Sequence, residues 1–234
     1  MKKSLNILWI ILLFNFQMGL TQNINQFDAN GKRHGVWKKN FENTKVTRYE
    51  GKFDHGKEVG EFKFYINVNN KPVLSATKVF HPDNNISDVT FYTSKGKVIS
   101  EGQMDGKKYI GTWKFYQKNS NKLLILENYN DNGDLNGERN VYYENGQIAE
   151  KSNYLNGQLE GLYSWFSEKG VKIKELNYTN GELSGPANVY GAEGDLIIKG
   201  QYKNGQKVGI WTYYEDGKVT EEKNFSRRIN PNKK

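Results

Sequence analysis

The sequence predicts an all-β protein, an elongated, twisted single antiparallel sheet of about eight stacked β-hairpin repeats of ~24 residues. Three observations predict it. Gly133, Gly157, Gly181 and Gly205 are spaced 24 residues apart, and so are Gly137, Gly161, Gly185 and Gly209. Asn precedes each glycine of the first set, at Asn132, Asn156, Asn180 and Asn204. Aromatic residues recur two apart after the second set, as Tyr163 with Trp165 and Trp211 with Tyr213.

Each feature has a physical reading. Asn-Gly is the favoured pair for a tight hairpin turn, because both central residues must take positive φ. A second turn follows at Asn145-Gly146, Lys169-Gly170, Glu193-Gly194 and Asp216-Gly217. Two turns per unit leave two short segments, rich in residues that suit a pleated surface. Residues two apart on a strand share a face, so Tyr163 and Trp165 begin an aromatic stripe on the inner face. Trp113 with Phe115 and Phe62 with Phe64 continue it. The next slot is aromatic as well, at Tyr65, Tyr116, Tyr142, Phe166, Tyr190 and Tyr214. A lone hairpin is marginal in water. A buried aromatic removes roughly 150–250 Å² from water, or about 4–6 kcal/mol gross, which offsets the ordering entropy only if the next hairpin covers it. The hairpins must therefore add side by side.

In chain order, residues 1–21 read as a secretory signal peptide. Lys2 and Lys3 precede an apolar run from Ile7 to Phe14, and Gly19 and Thr21 supply small residues before a cleavage point after Thr21. The run is too short to span a bilayer, which takes about 20 residues. Export is therefore expected, to the periplasm, the outer membrane or the exterior. With no Cys in the chain, neither a lipid-modified cysteine nor a disulfide framework is available.

Residues 22–30 form a polar lead, and 31–225 the repeat domain. Its first unit holds Gly31, Gly35 and Trp37, and its second Gly56 and Gly60. A degenerate third unit has Asp83 and Ser87 where glycines are due, with Phe91 and Tyr92 in the aromatic slots. Pro72 and Pro82 in the segment near 67–82 predict a bulged insertion. Gly106 and Gly111 stand five apart instead of four, which suggests one inserted residue. The tail, 226–234, carries Arg227, Arg228, Lys233 and Lys234 and reads as a solvated, disordered terminus. The net charge of +8 falls to +6 once Lys2 and Lys3 are set aside. That excess is spread over the repeats.

Catalytic, cofactor and metal sites are not expected. His34 and His55 each fall in a first turn beside a repeat glycine, without a carboxylate or Cys at ligand spacing, and read as turn residues. No nucleophile elbow or phosphate-binding loop appears. Asn132, Asp134, Asn136 and Gly137 mimic half of a calcium loop, but the twelfth position is Tyr143 where a bidentate Glu is needed. Trp37, Trp113, Trp165 and Trp211 read as core, the competing reading being an aromatic groove for a peptide or sugar.

The pattern from Tyr202 to Tyr214, Tyr-x-Asn-Gly-x-x-x-Gly-x-aromatic-x-aromatic-Tyr, resembles the bacterial variant of the MORN repeat. Chains of several such units resemble the YwqK-family antitoxin proteins. The resemblance covers roughly Gly31 to Phe225. It implies a sheet of successive hairpins, no cofactor, no catalysis and a role in binding. The expected partner is a protein, toxin-like or of the envelope, with polysaccharide or anionic lipid as the alternative. No nucleic acid is expected.

Overall fold

The computed structural model of the chain describes residues 23–226. The signal-peptide reading of 1–21 and nearly all of the basic tail lie outside the described residues. Within them there is no helix, and 18 strands form one antiparallel sheet. After β1 (Gln26–Phe27), each repeat contributes one hairpin of the eight expected. They are β2 (Arg33–Asn40) with β3 (Thr47–Asp54), β4 (Lys57–Val68) with β5 (Lys71–Phe80), and β6 (Ile86–Tyr92) with β7 (Val98–Asp105). Next come β8 (Lys108–Tyr116) with β9 (Leu123–Tyr129) and β10 (Gly137–Tyr142) with β11 (Ile148–Leu155). The sixth joins β12 (Gln158–Leu159) and β13 (Gly161–Phe166), one strand interrupted at Glu160, to β14 (Lys172–Thr179). The last two are β15 (Glu182–Tyr190) with β16 (Leu196–Lys203) and β17 (Gln206–Glu215) with β18 (Lys218–Asn224). Strands pair in chain order from β1 to β18, so the sheet is a meander.

A meander puts every first turn along one side of the sheet, and these turns bond to one another. The N–H of Gly157, Gly181 and Gly205 donates to the carbonyl of Leu135, Leu159 and Leu183, at 2.8–2.9 Å. Asn180 and Gly181 take φ of 51° and 81°, as the hairpin reading requires. An added Cβ at Gly181 would meet little, its nearest neighbour being 3.9 Å away, so backbone strain alone sets the cost. Gly181→Val should therefore destabilise by more than about 1–2 kcal/mol, while the exposed Glu182→Ala stays within about 0.5 kcal/mol in denaturant melts.

Three readings need correction. Residues 67–82 are not an irregular bulge: β4 and β5 stay paired through Val68↔Lys71, around a two-residue Asn69-Asn70 turn, and the segment up to Leu74 extends the hairpin past its neighbours. Pro72 pairs with Asn67, next to the closing pair, where strand-facing hydrogen bonds are absent in the antiparallel alternation. Its missing N–H is therefore not needed. Gly106 does not mark an insertion. It is the first residue of a two-residue turn between Asp105 and Lys108, the slot of His55 and Asn156, with φ of 59°. The polar lead also does more than connect: β1 pairs with β2, Phe27 packs edge-on against Trp37 at 5.1 Å, and Trp37 Nε1 donates to the Gln26 carbonyl.

One face carries the core as a row running across the strands. Phe62 is 1% exposed, Trp113 0% and Trp211 3%. Around Phe62 pack Phe53 and Phe80, at 5.2 and 5.3 Å and nearly perpendicular. Val89 and Met104 pack with Trp113, and Leu176 and Ala187 with Trp211. Each large ring lies over a strand glycine. A Cβ built on Gly51, Gly102 or Gly200 would fall 2.4, 2.5 or 2.2 Å from Phe62, Trp113 or Trp211. A single-layer sheet buries its rings here because the strand beneath has no side chain at that point.

Candidate functional site

Three surfaces differ from plain repeat packing: a break in the core row, a projecting hairpin tip, and a cluster on the first-turn edge. The break lies between Trp113 and Trp165. Arg139 stands 24 residues before Tyr163, in the slot that holds Tyr163, Ala187 and Trp211 in the later units. Register therefore turns its guanidinium onto the core face. Its Nε donates to Glu127 Oε1 at 2.9 Å, and Nη1 lies 3.6 Å from Glu150 Oε2. Tyr129 and Tyr163 donate their hydroxyls to Glu127 and Glu150, both at 2.6 Å. The Arg139 and Glu127 side chains are only 19% and 11% exposed. Burial works against the guanidinium charge, but the Glu127 contact outweighs it and leaves the Arg139 pKa raised. Burial, with the neighbouring carboxylate second, holds both tyrosines protonated above the usual phenol range.

The opposite face is polar. Cross-strand partners form an unbroken row from Lys38 through Glu50, Lys63, Thr77, Thr90, Glu101 and Lys114. Past Lys114 it runs through Leu126 and Asn140, then through Lys151, Ser164, Glu175, Asn188, Lys199 and Thr212 to Glu222. Glu50 faces Lys38 and Lys63, and Glu101 faces Lys114, pairs of opposite charge that favour pairing across strands. The aromatic slot directly after the two-apart pair falls on this face. Tyr65, Tyr116 and Tyr190 each donate to the Glu fifteen residues earlier, Glu50, Glu101 and Glu175, at 2.6–2.8 Å. Burial and that carboxylate push Tyr65 and Tyr116 up to about 12.

The β4–β5 hairpin projects past its neighbours. β3 reaches only Phe64 and β6 only Ala76, so Tyr65 to Leu74 pair with each other alone. Ile66 and Val73 are opposite one another, and Val68 shares their face. Ile66 is 44% and Val68 38% exposed, an apolar tip beyond the end of the core row.

Of the two histidines read as turn residues, His55 is in a turn but His34 is in β2, and they are not isolated. A 21-residue separation places His34 and His55 side by side on the first-turn edge, with ring centroids 4.7 Å apart. Asp54 Oδ1 is 3.5 Å from His34 Nδ1 and 3.9 Å from His55 Nε2, and Asp28 Oδ2 bonds His55 Nδ1 at 2.5 Å. The His55 hydrogen bond, helped by the Lys32 and Asn30 N–H groups, holds Asp28 down at about 2. The carboxylates that the linear sequence did not put at ligand spacing come from the adjoining turn residue and from the lead. The third histidine, His81, pairs with Asp88 at 2.8 Å on the surface.

The calcium-like run forms no cradle. Asn136 Oδ1 accepts from the Asn156 N–H, Asn130 Oδ1 accepts from the N–H groups of Asn132 and Asp134, and the Tyr143 hydroxyl donates to the Phe166 carbonyl. Among the tryptophans, Trp113 and Trp211 are core, while Trp37 and Trp165 are half-buried. Trp165 stacks on Tyr163 at 3.9 Å and carries Lys174 at 5.4 Å from its ring.

Three segments of the chain match the MORN repeat variant: residues 135–156, 159–180 and 207–226. These are the fifth, sixth and last hairpins, and in each the matched segment begins near a first turn and ends one or two residues past the second strand. No curated protein matches the chain. Sequence similarity to the MORN repeat and the hairpin meander thus agree on a hairpin-repeat architecture. The earlier units keep the same hairpin geometry with weaker signatures, since His55, Gly106 and Asn69-Asn70 stand where the regular units place Asn-Gly or a single turn glycine.

Proposed function

We propose that this protein is an exported, non-catalytic binding module that captures a protein partner in the cell envelope, as an antitoxin-like or scaffolding component. The observation that carries the reading is the β4–β5 tip. It presents Ile66, Val68 and Val73 on one face outside the shared sheet, while Phe62, Trp113 and Trp211 are buried in the core. Exposed apolar residues on a projecting hairpin suit a protein interface, where few anchors carry most of the affinity. The second reading, attachment to an anionic lipid or polysaccharide surface, draws on the basic excess of the sequence. The polar row weighs against it, because glutamates are interspersed among its lysines and it presents no uniform positive field.

The test is affinity capture from envelope extract with the immobilised mature chain, whose N-terminal sequence is expected to begin near Gln22 or Asn23. Replacing Ile66 and Val68 together by Asp should leave the melt close to that of the parent and weaken capture by about tenfold or more, roughly 1.4 kcal/mol per decade. Capture unchanged by that variant would overturn the tip as the contact. Salt-sensitive retention on anionic vesicles, with no protein captured, would favour the second reading. An intact Met1 on the native protein would remove export.

A further inference from the structure

The first-turn edge holds a group of side chains that the repeat does not require. His55 sits at φ of 45°, in the slot that Asn156, Asn180 and Asn204 fill in the regular units at 48–51°. Asn is the better residue for that backbone, so the imidazole is not explained by the turn. His34 lies at the start of β2, paired with Gln26 and next to that turn, in the slot where the regular units carry Glu160, Ser184 or Val208. The meander sets the two rings together and brings Asp54 between them.

We propose that His34, Asp54 and His55 form a binding site for a divalent first-row transition-metal ion, with Asp28 holding His55 from behind. Two imidazoles and one carboxylate are a donor set suited to Zn²⁺, Ni²⁺ or Cu²⁺ and unsuited to the all-oxygen preference of Ca²⁺ or Mg²⁺. One ligand atom from each of the three residues lies within 4.8 Å of the others. Ligands at about 2.0–2.1 Å from a tetrahedral ion stand roughly 3.3 Å apart. The 3.5 and 3.9 Å separations from Asp54 Oδ1 therefore need only a modest closing of exposed side chains. The remaining coordination positions open to solvent, because His34, Asp54 and His55 are 44%, 59% and 62% exposed.

The arrangement behind His55 supports this most directly. Its Nδ1 bonds Asp28 Oδ2 at 2.5 Å, which places the ring proton on Nδ1 and leaves the Nε2 lone pair facing Asp54. A carboxylate on the far nitrogen is the usual support of a metal-bound histidine. Asp28 is itself fixed, its Oδ1 accepting the N–H groups of Asn30 and Lys32 at 2.8 and 2.9 Å and its side chain only 8% exposed. The one competing contact is weak: the His55 N–H approaches His34 Nδ1 at 3.4 Å, and coordination would replace it.

Titration calorimetry of the mature chain with Zn²⁺ tests the site, with Ni²⁺ as a second probe. One ion should bind per chain. His55→Asn restores the residue that the regular turns carry, so it should keep the parent's circular dichroism and melt while losing tenfold or more in affinity. Asp28→Asn still accepts the Asn30 and Lys32 N–H groups but cannot serve as the charged support, and should weaken binding by about 10–100-fold. His81→Gln, outside the cluster, should bind as the parent does. No one-to-one binding by the parent, or one-to-one binding that His55→Asn leaves unchanged, would overturn the proposal.

Discussion

Trp113→Ala and Trp211→Ala are each expected to lower stability by about 3–5 kcal/mol, shifting the denaturant midpoint far below that of the parent. Both rings are almost fully buried, and each indole N–H reaches a strand carbonyl: Trp113 to Gln103 at 2.8 Å and Trp211 to Gln201 at 3.2 Å. Tyr109 stacks on Trp113 at 3.8 Å and 14°, so truncation would strip one partner from another. The half-buried Trp37, packed by Phe27 and Phe53 at 5.1 and 5.8 Å, should cost less. The glycines beneath the rings sharpen the test. Gly→Ala inside a strand ordinarily gains roughly 0.5–1 kcal/mol. At Gly102 and Gly200 the new methyl would meet the ring, so the sign should reverse, to a loss of about 1–3 kcal/mol. In a Trp211→Ala background the Gly200→Ala loss should vanish, because the obstructing ring is gone. A double-mutant cycle reads that coupling directly. A Trp211→Ala protein that folds as well as the parent but no longer holds its partner would move this row from core to groove.

The fold was legible because the chain repeats itself. Asn180-Gly181 announces a tight turn on local chemistry alone, and Tyr163 with Trp165 announces a shared face through the period-two rule. What was missed depended on which residues the meander brings together. Gly102 and Gly200 are isolated glycines in strand patterns, a signal for close approach that was present in the sequence. The aromatics eleven positions later, Trp113 and Trp211, explain them only once the register is known. Arg139 was also visible in principle, as a cation in a slot that Tyr163 and Trp211 fill 24 and 72 residues on. The sequence could not name Glu127 and Glu150 as its partners. Asn69-Asn70 could have marked a paired tip, since two such residues form a hairpin turn, but Pro72 drew the reading toward a bulge. His34 and His55 are 21 residues apart along the chain, but the meander makes the start of β2 and the β3–β4 turn spatial neighbours.

Arg139 carries the last expected result. Arg139→Ala should destabilise by about 3–5 kcal/mol, the range for removing one partner of a buried ion pair. It leaves Glu127 and Glu150 facing each other inside a row of rings, with Tyr129 and Tyr163 still bonded to them. Arg139→Lys keeps the charge but not the planar fork that reaches both carboxylates, and should fall between parent and alanine. The repeat supplies the converse experiment. The slot of Glu150 holds Ile198 two units later, and that of Arg139 holds Ala187 or Trp211. Glu127→Leu, Arg139→Leu and Glu150→Ile together turn the break into continuous apolar row. Replacing a buried charged group whole by packed apolar residues is often neutral or stabilising by about 1–4 kcal/mol. The triple variant should therefore melt at or above the parent, although it contains the same position that is so costly alone. If Arg139→Ala instead lies within about 0.5 kcal/mol of the parent, the guanidinium is not holding the two halves of the core row together. If the triple variant is as unstable as Arg139→Ala, the charges are needed for the register of β9, β10 and β11 and the apolar row cannot substitute for them.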